Sequence, residues 1–206
     1  MSGDPQIISE LEKESLRFLE RDFNQSFQQM RYYDSQIFDI LKFVFAAYSA
    51  LIGVSLGLYQ FGLKESRDLT LPATAALIVG LTLGLFMLAL IIRNRAYFVQ
   101  VARYINEQRD YFFRHKPPEF ENKSKMYTDC SRPRFSNWHS SQMFLAYIIA
   151  ALNSALCGVL AFISLSACWK WWAVGISSTA LLIIQLGSGL TYLRMREKKY
   201  SSQKMT

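Results

Sequence analysis

Long apolar runs separated by charged stretches dominate the pattern of hydrophobic and polar positions along the chain. Four windows carry no Asp, Glu, Lys or Arg: residues 43–61, 69–92, 140–169 and 171–193. A helix needs about 20 residues to cross the roughly 30 Å apolar core of a bilayer. A soluble protein of 206 residues with four such helices would bury them with little left for a wet surface. The pattern predicts an all-α integral membrane protein whose four transmembrane helices form two hairpins.

Helical periodicity extends beyond the apolar windows. Apolar residues recur near helical spacing from Ile8 to Leu41, and again from Tyr97 to Phe112, before Pro117-Pro118. Residues 1–42 carry eight acidic and five basic side chains, whereas residues 93–141 carry ten basic and five acidic ones. Opposite net charges and facing apolar stripes predict that the two extensions form a cytoplasmic stalk. The alternative, a helix lying flat on the bilayer, suits the acidic segment less because anionic lipid repels it.

The distribution of Lys and Arg predicts the orientation in the inner (plasma) membrane. Twenty of these residues lie in residues 1–42, in residues 93–141 and in the tail after Leu193. The two short loops that connect the helices of each hairpin hold Lys64, Arg67 and Lys170. Because cytoplasmic segments carry the excess of positive charge, both termini and the central segment are expected in the cytoplasm. Trp138 would mark the inner interface and Trp169, Trp171 and Trp172 the outer one, where they act as anchors or as a binding cluster.

These boundaries divide the chain into five segments. We expect a cytoplasmic amphipathic helix (1–41), a first transmembrane hairpin (42–92), a cytoplasmic helix and loop (93–141), a second transmembrane hairpin (142–193) and a basic cytoplasmic tail (194–206). The stretch 117–140 is the least regular part and is interpreted as a loop; a partner site there is left open.

The first and third spans share a short similarity that indicates an internal duplication. The segment from Tyr48 to Val54 matches the segment from Asn153 to Val159 at five of seven positions, and the second and fourth spans end in Arg93-Asn94-Arg95 and Arg194-Met195-Arg196. Two spans per unit would give both copies the same orientation, as in a parallel repeat. Chance identity within the narrow composition of transmembrane segments is the competing explanation.

Small residues recur at four-residue spacing in three of the spans. In lipid such faces let helix backbones approach closely, either within one protomer or between protomers. Seven residues are candidates for helix packing or oligomer contacts: Gly53, Gly57, Gly80, Gly84, Ala150, Ser154 and Gly158.

Chemistry-bearing residues are sparse. No ionisable side chain lies deep in a span, which argues against a proton-coupled pump. Asn153 and Gln185 are polar at depth and would line a pore or form bonds between helices.

Motifs for catalysis, metal binding or cofactor binding are missing, so we expect no enzyme, metal site or cofactor. The three cysteines, Cys130, Cys157 and Cys168, fall at different depths, which precludes an intrachain disulfide; Cys168 is left open as a cross-link between subunits. Positive-inside bias accounts for most of the basic charge, so nucleic acid is not expected as a partner.

The segment Arg93-Asn94-Arg95-Ala96-Tyr97-Phe98, continued by Ala102-Arg103-Tyr104-Ile105-Asn106 and Arg109, resembles the segment that follows the transmembrane hairpin in small membrane proteins of bacterial antiviral defence loci. This broad class includes SLATT-type two-span effectors, CRISPR-associated membrane accessory proteins and the membrane subunit of the Kiwa system. The architecture is similar over about the first 115 residues. The second hairpin departs from the two-span members.

The resemblance implies an effector or sensor that acts on the membrane when a cytoplasmic partner signals infection. Our first hypothesis is an oligomeric pore or membrane-perturbing assembly, controlled through the cytoplasmic helices. The alternative is a non-conducting scaffold or sensor that recruits a soluble partner, and an enzyme or secondary transporter ranks third. The expected partners are the lipid bilayer, further copies of the chain and a soluble cytoplasmic protein. Candidate stalk or partner residues are Arg93, Arg95, Tyr97, Arg103, Asn106 and Arg109.

Overall fold

The computed structural model describes residues 5–114, 128–165 and 170–203, with side chains described for 13–113, 128–165 and 170–202. Four α-helices make up the regular structure of these ranges: α1 (Pro5–Lys64), α2 (Thr70–Arg114), α3 (Ser141–Ser164) and α4 (Lys170–Gln203). Each contains a segment long and apolar enough to cross a membrane. The all-α class and the four candidate transmembrane helices are thereby confirmed. Cys168, Trp169, His115 and the first part of the 117–140 stretch lie outside the described residues.

Local sequence explains where the helices begin and end. The turn between α1 and α2 contains Ser66 at a φ of 54°, the left-handed region that ends helices. Asp68 then accepts a bond from the backbone N–H of Thr70 (3.0 Å), which satisfies a free donor at the start of α2. Ser140 caps α3 in the same way through Met143. The fourth helix continues through the basic tail to Gln203, ten residues beyond the apolar window that ends at Leu193.

Two compact units divide the chain. The first unit comprises residues 1–35 and 97–134, and the second unit comprises residues 36–96 and 135–206. Both α1 and α2 contribute residues to both units, because the boundaries at 35/36 and 96/97 fall inside these continuous helices. The sequence pattern predicted this continuity, since no Pro or Gly stands between Gln6 and the first apolar window.

The core of the second unit draws on all four helices. Val44 of α1, Leu77 of α2 and Ile149 of α3 are buried at its centre, and Leu182 and Leu186 of α4 pack against this cluster. Because lipid is as apolar as these side chains, close dispersion contact rather than exclusion of water holds such a core together. Small residues at the contacts therefore matter more here than in a soluble bundle.

The first unit is built by aromatic and polar contacts. The rings of Tyr33 and Tyr97 stack with their centroids 6.1 Å apart, which joins α1 to α2. On α2, Val99 and Ile105 are fully buried. Within this unit the two helical extensions therefore do pack together.

Candidate functional site

A buried polar cluster lies in the second unit, and each of the four helices supplies one residue to it. The contributors are Tyr48 of α1, Gly84 of α2, Asn153 of α3 and Gln185 of α4. The Tyr48 hydroxyl donates a hydrogen bond to Asn153 Oδ1. Asn153 Nδ2 in turn donates to Gln185 Oε1 at 2.7 Å. The cluster thus joins three helices by side-chain hydrogen bonds between buried residues.

Gly84 completes this cluster by the absence of a side chain. A Cβ atom at this position would overlap the Tyr48 hydroxyl and the Asn153 carbonyl oxygen. Gln185 ends the chain of bonds, because its Nε2 donates to the carbonyl oxygen of Leu181 on its own helix (3.3 Å). The Tyr48 hydroxyl and the side-chain amides of Asn153 and Gln185 therefore all have hydrogen-bond partners, which removes most of the cost of burying polar groups in an apolar environment.

The cluster also brings together positions that correspond in the internal repeat. Tyr48 and Asn153 are the first residues of the two matching segments, and they bond to each other. Gly84 stands nine residues before Arg93, and Gln185 stands nine residues before Arg194. Two positions that correspond in the predicted repeat therefore contact each other, and the duplication stays a prediction.

The seven predicted small packing residues fall into two groups. Within the second unit Ala150, Ser154 and Gly158 of α3 are buried, as are Gly80 and Gly84 of α2. Built Cβ atoms would stand 2.8 Å from Leu51 Cδ1 at Gly80 and 2.5 Å from Ser178 Oγ at Gly158. The remaining two, Gly53 and Gly57, are exposed.

Apart from the adjacent residues and backbone of α1 itself, no atom of the described residues lies within 4 Å of a Cβ built on Gly53 or Gly57. Their face of α1 is therefore open, and we name it the α1 glycine face.

In the first unit, two side chains of α2 donate hydrogen bonds to a loop of the same chain. Arg103 is 1% exposed, and its Nε donates to the carbonyl oxygen of Pro133 at 3.0 Å. One turn further along the same face, Asn106 Nδ2 donates to the carbonyl oxygens of Asp129 (3.1 Å) and Arg132 (2.9 Å). Backbone carbonyl oxygens of this loop thus receive hydrogen-bond donors from α2.

Asp129 is held at the start of the same loop. The hydroxyl and backbone N–H of Ser131 donate to its carboxylate, and these bonds hold the pKa of Asp129 below its ordinary value. Hydrogen bonds therefore hold the loop in the described part of the 117–140 stretch in place.

A second set of bonds holds Phe135 in the second unit. Its carbonyl oxygen accepts from Arg95 Nε (3.4 Å), and its N–H donates to the Glu197 carboxylate (2.9 Å). The Phe135 ring lies against Tyr200, with the centroids 6.3 Å apart. Arg95 also donates to Gln142 Oε1 (3.2 Å). The helical extension of α4 thereby gains a structural role that the basic composition of the tail did not indicate.

The other stalk or partner candidates of the 93–109 segment, Tyr97, Arg109 and Arg93, each have different surroundings. Tyr97 lies against Tyr33, and the Arg109 guanidinium lies 5.5 Å from the centroid of the Phe23 ring. Arg93 is exposed at the end of the second apolar window. Arg95, Arg103 and Asn106, in contrast, are at most 4% exposed, and their side chains contact other residues of the same chain.

Sequence reasoning overlooked a carboxylate in the first unit. Asp22 accepts hydrogen bonds from the Tyr104 hydroxyl and from Gln108 Nε2, both at 2.6 Å. The bond to this carboxylate raises the pKa of Tyr104. Tyr104 and Gln108 are four residues apart and share a helix face, which was the available signal.

The four apolar helices and the polar cluster between them fit a multi-pass helical membrane protein. No family model, curated protein or solved structure matches this chain. Among the side chains that the structure describes, no group of three or more His, Cys, Asp or Glu residues could hold a metal ion.

Proposed function

We propose that this protein is a membrane effector or accessory protein of a bacterial defence system, which assembles with further copies of itself and perturbs the bilayer, as a pore or otherwise. In this proposal the first unit receives the controlling signal. The resemblance of residues 93–109 to membrane proteins of defence loci supports the class of function, and the four apolar helices support action at the bilayer.

The α1 glycine face carries the proposal of assembly. Four-residue spacing of Gly53 and Gly57 permits close approach of a second helix, yet no other helix of the described part of the chain packs against these glycines. In lipid the gain from such an approach is dispersion contact between backbones, with no contribution from excluded water. An unused face of this kind inside an apolar segment suits contact between copies.

The continuity of two helices supports the proposal that the first unit exerts control. Because α1 and α2 each run from the first unit into the second, a change in the packing of their extensions has a hydrogen-bonded path to the spans. The proposed conducting or perturbing surface lies between copies, since Tyr48, Asn153 and Gln185 fill the interior of one copy.

A specific observation favours a second candidate, a non-conducting scaffold or sensor that recruits a soluble partner. Asn153 and Gln185, the polar side chains at depth that could have lined a pore, bond to each other. An assembly built from the remaining apolar faces would have few groups to stabilise ions or water in a channel.

Leakage from vesicles distinguishes the two candidates. We expect the purified protein, reconstituted in liposomes that contain anionic lipid, to release an entrapped dye, and overproduction in bacteria to collapse the membrane potential. Gly53→Leu combined with Gly57→Leu should abolish both effects. The matched control is Gly175→Leu with Gly187→Leu, two other glycines without neighbours, on α4. Oligomers that form without leakage or depolarisation would favour the scaffold, and full leakage by the α1 variant would contradict assembly through this face.

A further inference from the structure

A groove in the second unit lies between three helices, near the point where α2 and α4 leave their apolar windows. Its walls include Ile92 of α2, Tyr147 of α3, and Leu186 and Leu190 of α4, and Trp138 of the loop before α3 also lines it. We call it the three-helix groove. Apart from Trp138 these residues lie inside the uncharged windows, so hydrocarbon rather than water borders the groove in a bilayer.

The groove suits an extended apolar chain better than a soluble ligand. Its enclosed volume is only about 20 Å³, so an occupant has to lie along it. The amide of Gln185, which also lines the groove, already bonds to Asn153 and to the carbonyl oxygen of Leu181. The Tyr147 hydroxyl donates to the carbonyl oxygen of Trp138 at 3.3 Å. An occupant would therefore gain mainly dispersion contacts, which the acyl chain of a bilayer lipid can make.

One row of side chains on α4 changes from apolar to cationic as it leaves the groove. Leu186 and Leu190 line the groove, and Arg194 and Lys198 continue the row at the same four-residue spacing. Residues four apart are neighbours on one helix face, with a rise of about 6 Å between them. Both cationic side chains are exposed. The row thus follows the order of a phospholipid, in which an apolar chain leads to a negatively charged phosphate.

Aromatic side chains mark the level of the head groups at this end of the groove. The rings of Trp138 and Tyr147 lie with their centroids 6.2 Å apart, and Trp138 is 50% exposed. Both residue types favour the interface between hydrocarbon and water. Glu197, the one acidic residue of α4, accepts a hydrogen bond from the N–H of Phe135 and is therefore directed toward the loop. The exposed charges of α4 at this end are positive.

We propose that the three-helix groove binds an anionic phospholipid, whose acyl chain lies against Ile92, Leu186 and Leu190 and whose phosphate contacts Arg194 and Lys198. Basic groups at the ends of transmembrane helices are the usual means of recognising such head groups. The inference requires that the spans lie in a bilayer. It is independent of the defence role and of assembly between copies.

Quenching of tryptophan fluorescence tests the site. A variant that retains only Trp138, with Trp169, Trp171 and Trp172 replaced by Phe, is reconstituted in phosphatidylcholine bilayers. Equal small fractions of phosphatidylglycerol or phosphatidylcholine with brominated acyl chains are added, because bromine quenches tryptophan only at short range. We expect the anionic brominated lipid to quench Trp138 several-fold more strongly. Equal quenching by the two lipids would overturn the proposal.

A reporter away from the groove controls for general attraction of anionic lipid. The matched variant retains only Trp172, which is 71% exposed near the start of α4, at the end far from the groove. The two brominated lipids should quench this residue to similar extents. A preference for the anionic lipid as large as that at Trp138 would mean that no particular site exists, which would also overturn the proposal.

Charge removal tests the proposed phosphate contacts. Arg194→Gln combined with Lys198→Gln should abolish the preference of Trp138 for the anionic lipid. The matched control, Lys42→Gln with Lys199→Gln, also removes two exposed cations near the ends of spans. Lys199 stands nine residues after Leu190 and hence on the opposite side of α4, so this control should keep the preference. Retention of the preference in the first variant, or equal loss in both, would contradict these contacts.

Competition with inorganic phosphate separates a bilayer lipid from a soluble anion. Phosphate in excess over the anionic lipid, at constant ionic strength, should leave the quenching of Trp138 unchanged, because it offers no chain to the groove. Relief of the quenching by phosphate would assign the cations to a soluble anion and overturn the lipid site.

Discussion

Two glycine pairs with the same spacing have opposite surroundings in this molecule. On α2, Gly80 and Gly84 pack into the interior of the second unit, against Leu51 and against the Tyr48–Asn153 hydrogen bond. On α1, the glycines at positions 53 and 57 have no atom within reach of an added side chain. The comparison shows that glycines four residues apart allow another helix to approach closely. The spacing does not determine which helix packs there.

The difference between the pairs has a chemical cause. Tyr48 and Asn153 are large polar side chains that need each other in an apolar environment, and space for their bond exists only where the facing helix lacks a Cβ. No buried polar residue of another helix demands such space at Gly53 or Gly57. A packed glycine and an open glycine should therefore respond differently to substitution.

The largest effect is expected at Gly84. Gly84→Val should destabilise the fold by about 3 kcal/mol or more, because the new side chain overlaps two atoms that form a buried hydrogen bond. The measurement is the apparent Tm of the purified protein in detergent, followed by the loss of monodisperse protein on heating. Gly57→Val is the matched control and should leave the Tm within the range of ordinary surface substitutions, about 0.5 kcal/mol. Equal losses at both positions would erase the distinction between the pairs.

An intermediate effect is expected from Asn153→Leu. This nearly isosteric change removes the hydrogen bonds that the Tyr48 hydroxyl and Gln185 Oε1 make with Asn153 and leaves those two buried groups without that partner. Interhelical hydrogen bonds in membranes are each worth about 0.6 to 2 kcal/mol, so a loss of about 1 to 3 kcal/mol is expected in the same thermal assay.

The control for Asn153→Leu is Thr82→Val on an exposed face of α2. Its hydroxyl bonds only the backbone of its own helix, to the carbonyl oxygen of Ile78 (2.8 Å). If Thr82→Val proves as costly as Asn153→Leu, the interhelical cluster contributes nothing particular to stability.

The smallest effect is expected from Gly80→Ala. The added methyl group would stand 2.8 Å from the terminal Cδ1 of Leu51, a flexible side chain that can shift. We expect a loss below about 1 kcal/mol, between the results for Gly84→Val and for Gly53→Ala, which should be neutral. The order of the three apparent Tm values is the test, and a Gly53→Ala variant less stable than Gly80→Ala would reverse the comparison.

Much of the fold could be predicted because it depends on local composition. Uncharged windows of the required length define the four helices, and the lack of Pro and Gly between residues 6 and 52 predicts the long extension of α1. Asn153 and Gln185 were recognisable as polar groups at depth, and two explanations were open for them. The contact between the two amides could not be predicted, since it depends on the rotation of α3 relative to α4.

The motif after the second span shows the same limit. Arg103 and Asn106 belong to the segment after the second span that supplied the stalk or partner candidates. In the tertiary structure both donate to backbone carbonyl oxygens of residues 129–133, thirty residues or fewer further along the chain. Helical spacing alone cannot distinguish a donor that faces a partner from a donor that faces a loop of the same chain.

The sequence by itself determined which segments are helical and apolar, because hydrogen bonding within a helix and the length of an apolar run are local properties. Tertiary structure decided which glycines are packed, which polar groups bond and which apolar faces remain open. Those outcomes depend on how helices rotate and approach one another, and the close contact of Tyr48, Gly84, Asn153 and Gln185 arises only when all four helices are assembled.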